Sequence, residues 1–148
     1  MEKSFYRVRS TKDIIITVIL VVAGCVLVLI PSPVSINITG FFMMFAGLIL
    51  FFVLRTAYKD SDTNTAYCKR ELYFPQSCRE NVLKAVSTSP SSVNMTEKNN
   101  GTGIRMDIYY SKKEGTAFVQ MLEYVPYKYE EVSPFYKYDI SSVGKLIR

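Results

Sequence analysis

The side chains best suited to chemistry in this chain are cations interleaved with tyrosines. Arg105, Tyr109, Lys112 and Lys113 fall close together. Lys128, Tyr136 and Lys137 follow in two similar elements, Pro126-Tyr-Lys-Tyr-Glu130 and Pro134-Phe-Tyr-Lys-Tyr-Asp139. Lysine and arginine neutralise phosphates, and tyrosine rings stack on bases at about 1–3 kcal/mol each. The seven residues are therefore candidates for binding a nucleotide or small RNA-like ligand. The same types also make an ordinary solvated sheet, because tyrosine is a good strand former and lysine its usual exposed neighbour. The residues alone leave both readings open.

Covalent chemistry has little to work with. Histidine is absent, which removes the usual general base and the commonest metal ligand. No Gly-rich phosphate loop or nucleophile elbow occurs. Glu130 and Glu131 are adjacent, so on a strand they point to opposite faces. Cys25 lies in an apolar run, and Cys68 and Cys78 fit no zinc spacing. The expectation is a protein that is not an enzyme, with no catalytic residue, no metal site and no cofactor.

The elements that must position the candidate residues come next. Tyr67–Phe74 reads as a strand. Pro75 suits the first turn of a helix running to about Ser87, with Cys78, Val82, Ala85 and Val86 at helical spacing and Glu80 and Lys84 on the wet face. Residues 87–103 are rich in Ser, Thr, Asn and Gly and read as a long loop. Ile104, Met106 and Ile108 then alternate with Arg105, Asp107 and Tyr109, the period of a half-buried strand. A turn at 112–115 and a strand at 116–125 complete a β-hairpin. The two tyrosine elements read as further strand-like segments, each pair of rings on one face. The Asn-x-Ser/Thr triplets at Asn37, Asn94 and Asn100 read as accidents of composition.

Ahead of this part lies a stretch of different character. Ile14 to Leu54 contains no Asp, Glu, Lys or Arg. Its two apolar runs, 14–30 and 34–54, reach about 26 and 31 Å as helices, enough to cross a bilayer. Pro31-Ser-Pro33 between them forces antiparallel neighbours. Lys3, Arg7, Arg9 and Lys12 precede the first run, and Arg55, Lys59, Lys69 and Arg70 follow the second, while the connection is uncharged. The positive-inside rule then puts both termini in the cytoplasm. The expected fold is a membrane α-helical hairpin with a small cytoplasmic α+β domain built on an antiparallel sheet. Its parts are a basic tail (1–13), the hairpin (14–54), a juxtamembrane linker (55–66) and the domain (67–148). The expected location is the inner membrane, as a multi-pass protein.

Net charge is +5, which suits lipid headgroups or an anionic ligand and does not resemble a DNA-coating protein. The layout of basic tail, two apolar runs and compact domain resembles the two-helix membrane effectors of type III CRISPR antiviral defence. That resemblance is one of architecture and carries no residue across. It implies a cyclic tetra-adenylate ligand, a homo-oligomer of four subunits, and helices that perturb the membrane once the cyclic oligonucleotide binds. A different reading makes the chain an accessory or scaffold subunit that recruits a protein partner through its tyrosine-rich domain. A bare pore-former is the third, disfavoured by the size of the domain.

Overall fold

In the computed structural model, residues 3–99, 101 and 103–148 are described. They form two compact units, one of Tyr6–Ala57 and one of Met1–Phe5 with Tyr58–Arg148.

The first unit is a helical hairpin. Helix α1 spans Thr11–Leu29 and α2 spans Val34–Val53. Both are long and apolar enough to cross a membrane. Ser10 starts α1 through a capping box with Asp13, each side chain meeting the other's backbone N–H. The same Asp13 carboxylate accepts from the Thr56 N–H at 2.9 Å and the Thr56 hydroxyl at 2.7 Å. One carboxylate thus ties the start of α1 to the chain leaving α2, and it is buried. The helices touch along a seam of small residues. A Cβ on Gly24 would lie 2.5 Å from the Met44 backbone nitrogen, so only glycine fits there. The rest of the helix surface carries uncovered apolar side chains, among them Ile19, Leu29, Phe42, Phe52 and Val53.

The sheet belongs to the second unit apart from Tyr6–Val8 and Ala57, which fall in the first. Its seven strands are β1 (Phe5–Val8), β2 (Ala57–Asp60), β3 (Ala66–Phe74), β4 (Ile104–Ser111), β5 (Thr116–Val125), β6 (Lys128–Glu131) and β7 (Tyr136–Asp139). The order is β1-β2-β3-β4-β5-β6, with β7 also paired to β5. β6 pairs with Leu122–Val125 and β7 with Thr116–Val119, so the two short strands lie end to end along one edge of β5. The pairs from β2 onward are antiparallel.

Alternation decides what each face carries. One face holds Leu72, Phe74, Ile104, Met106, Ile108, Ala117, Val119 and Met121, all fully buried. Helix α3 (Arg79–Thr88) covers it with Val82 and Val86, and the C-terminal turns add Val143 and Leu146. Gly103 leads into β4 at φ +135°, where a Cβ would meet the Phe74 carbonyl at 2.6 Å.

Several expectations change. The tail and linker are not featureless, since Phe5–Val8 and Ala57–Asp60 are strands. Alternation is too short in either to betray a strand, and their partners are distant in sequence. Pro75 does not open an α-helix. It precedes a 3-10 turn at Gln76–Cys78, and α3 begins at Arg79. The 87–103 stretch holds two 3-10 turns, Pro90–Ser92 and Met95–Glu97, and buries Pro90 and Val93. Asn100 lies outside the described residues.

Candidate functional site

The strands that bury an aliphatic face also carry a second face of charges and rings. Register puts Lys69 opposite Tyr109, Glu71 opposite Asp107 and Tyr73 opposite Arg105, all pointing the same way. On β5 the matching positions are Phe118, Gln120 and Leu122.

Asp107 is the centre. It is 3% exposed. Lys69 Nζ lies 2.8 Å from its Oδ2, and Arg105 Nη2 donates to Oδ2 at 3.1 Å. Arg105 Nε comes within 2.8 Å of Oδ1 but out of line for a hydrogen bond, so both atoms lack one. Lys69 also holds Glu71 at 2.6 Å, and the Tyr73 hydroxyl donates to Glu71 at 2.7 Å. Two cations and two anions thus cancel within one network.

Aromatic rings close over it. The Arg105 guanidinium sits 4.6 Å from the Tyr129 ring centre. Lys69 Nζ lies 5.7 and 5.5 Å from the Tyr58 and Tyr109 rings. Phe5 stacks on Tyr109 at 4.2 Å with planes 4° apart, and meets Tyr67 and Phe135 edge-on. Tyr67, Tyr109 and Phe118 are buried as a result.

These surroundings set the charges. Desolvation pulls the Lys69 ammonium down, but Asp107 and Glu71 together hold it above the ordinary lysine value. Burial pushes the Asp107 carboxyl up, against the pull of Lys69 and Arg105. The two directions are compatible, since Lys69 has two carboxylates to lean on and Asp107 has lost nearly all its water. Burial also pushes Glu71 up, but the Lys69 and Tyr73 hydrogen bonds prevail and leave it below the usual carboxylate range. Burial raises the Tyr109 phenol.

The seven candidate residues do not converge. Arg105 and Tyr109 belong to this covered face, with their charge and ring area already engaged. Lys112 and Lys113 are exposed in the turn before β5, and Lys128 is exposed just after it. Those ends are separated by a ten-residue strand, about 33 Å. Lys128 is paired with Glu130 at 2.6 Å. Tyr136 is on the opposite face, packed against the aliphatic core. Lys137 is exposed and lines a cavity of about 210 Å³ with Lys3, Asp60, Tyr67, Thr116 and Phe118. There Lys3 is already held by Asp60 at 2.6 Å.

Compared with known protein families, curated proteins and solved structures, the chain matches none. Its own surface is therefore the ground for a functional reading.

One residue stands apart on that surface. Tyr127, in the β5–β6 turn, is 98% exposed and has φ +74°. A bulky residue in the left-handed region is an outlier, and this ring buries nothing in return. Tyr124, 43% exposed, and Pro126 stand beside it, and β6 forms an outer edge of the sheet. The sequence flagged the Tyr-Lys-Tyr element but gave it a strand conformation throughout. Pro126 was the available signal for a turn.

Proposed function

We propose that the chain is a membrane-anchored adaptor, a hairpin-tethered subunit whose β5–β6 tip binds a protein partner. The observation that carries this reading is Tyr127. A large ring held in a disfavoured backbone conformation and left in water contributes no folding energy, whereas Tyr is a preferred anchor at protein interfaces. Backbone strain of this kind gathers at functional positions. The neighbouring edge strand offers unpaired backbone groups to a partner segment.

The anchoring half of the proposal rests on the apolar, uncovered surfaces of α1 and α2, which need a lipid solvent. The basic residues at the open end of the hairpin favour both termini on the cytoplasmic side. A thiol-labelling experiment tests this: Ser32→Cys should react from outside intact cells, and the exposed Cys68 should not.

The adaptor reading is tested with Tyr127→Asn, since asparagine tolerates positive φ. The variant should fold at least as well, by up to about 1 kcal/mol, and lose a stoichiometric partner that the wild type retains from native membranes. Equal retention by both chains overturns the tip as the binding site. Saturable binding of cyclic tetra-adenylate without any protein partner would favour the cyclic-oligonucleotide effector in a homo-oligomer instead.

A further inference from the structure

We infer that Arg9, held against Phe51 at the open end of the helical hairpin, is a binding site for the phosphate of an anionic lipid. The inference rests on the membrane-spanning reading of α1 and α2. Residues Tyr6–Ala57 contain Arg7, Arg9, Lys12 and Arg55 as cations and Asp13 as the single acid. The hydrogen bond between the Ser10 and Thr56 hydroxyls, 3.1 Å, brings the two ends of the hairpin together. All four cations therefore gather at that end, within a few residues of this contact.

Asp13 is not the counter-ion of Arg9. Its Oδ2 accepts from the Ser10 N–H at 2.8 Å and the Thr56 N–H at 2.9 Å, and its Oδ1 accepts from the Thr56 hydroxyl at 2.7 Å. The carboxylate is spent on the backbone and on closing the hairpin. No carboxylate among the described residues forms an ion pair with Arg9.

Arg9 is fixed rather than trailing in water. Its guanidinium carbon is 4.1 Å from the centre of the Phe51 ring, two residues before the end of α2. Its Nε is buried and has no hydrogen-bond partner. The other guanidinium N–H groups remain beside that nitrogen, and their planar fork is shaped to bind phosphate oxygens. At this depth, where the first span begins and the second ends, the abundant anion is the phosphodiester of a lipid headgroup. Phe51 supplies a rigid backing that a solvated arginine lacks.

Full-length protein is reconstituted into vesicles of about four parts phosphatidylcholine to one of phosphatidylglycerol. Retained lipid is then counted by native mass spectrometry. The wild type should hold phosphatidylglycerol about fivefold above its share in the bilayer, the scale expected of one basic side chain at an anionic surface. Arg9→Gln should return it to the bulk ratio, and Lys12→Gln should not. An unbiased ratio in the wild type, or the same bias after Arg9→Gln, overturns the inference and leaves Arg9 a structural staple. Displacement of the lipid by millimolar inorganic phosphate also overturns it, because the site would then be a general anion site. Flotation of each sample through a density gradient separates the two readings. Wild type that fails to float with vesicles sinks the spanning hairpin itself, whereas floating protein with unbiased lipid sinks the Arg9 site alone.

Discussion

Strands β3, β4 and β5 contribute alternate residues to two faces that solve burial in different ways. The α3 face is aliphatic and closes by volume: Leu72, Phe74, Ile104, Met106, Ile108, Val119 and Met121 leave nothing exposed. The opposite face is buried almost as well around Asp107, yet carries Lys69, Glu71, Arg105 and a ring of aromatics. An aliphatic face tolerates the loss of one member in proportion to the cavity left behind. An ionic face depends on complete pairing, because removing one partner strands the others' charges. The second kind of face stores specificity in a few contacts, and it should fail in a different pattern.

The largest effect should come from the aliphatic side. Phe74→Ala removes a fully buried ring and should cost about 4 kcal/mol in chemical unfolding of the full chain in detergent, read by circular dichroism. Asp107→Ala should cost about 3 kcal/mol although far fewer carbons are lost, since Lys69 and Arg105 are left facing each other. The contrast sharpens in the pair Lys69→Met with Asp107→Leu. Removing a cation and an anion together leaves Arg105 and Glu71 to compensate each other. The double variant should therefore recover at least half of the Asp107→Ala loss. A double variant less stable than Asp107→Ala would break the distinction between the faces.

Acid should separate the faces further, with a smaller effect. Glu71 has its folded pKa below the ordinary value, so its stabilisation is complete above about pH 4.3 and is lost as pH falls through the folded value. Asp107 is shifted up and works in the opposite sense, binding its proton more readily in the folded chain. Stability should decline as pH falls below about 4.3, and Glu71→Gln should flatten that decline. Leu72→Ala, on the aliphatic face, should lower stability at every pH and leave the slope as it was. An unchanged slope in Glu71→Gln would mean that the ionic face does not titrate as a unit.

The two faces also differ in how readable they were. Ile104, Met106 and Ile108 announce a buried strand by period two, and the β4–β5 hairpin follows from the same pattern. Arg105, Asp107 and Tyr109 obey that period equally well, and period alone assigns them to solvent. Tyr109 is covered by Phe5, Tyr58 and Phe135, and Arg105 packs on the Tyr129 ring, all from other segments of the chain. Phe5 and Tyr58 sit in strands of four residues, too short to show alternation. The sequence therefore offered Arg105 and Tyr109 as ligand contacts when their partners are internal. Tyr127 was hidden for a local reason, since no propensity rule assigns a positive φ to tyrosine.

The smallest effects come from single hydroxyls, and here the ordering of the faces should hold. On the aliphatic side the Tyr138 hydroxyl donates to the Val86 carbonyl. Val86 lies near the end of α3, where carbonyls lose their helical partners. The residue four positions on is Pro90, which has no N–H to offer. Tyr138→Phe thus leaves a buried acceptor empty and should cost about 2 kcal/mol. On the ionic side the Tyr73 hydroxyl donates to Glu71, which keeps Lys69 at 2.6 Å when that hydroxyl is gone. Glu71 is also half-exposed, so water can take the vacant place. Tyr73→Phe should therefore cost about 1 kcal/mol or less. A larger loss for Tyr73→Phe than for Tyr138→Phe would mean that the ionic network is coupled beyond its pairwise contacts, and that its face is the more brittle of the two even where water can reach it.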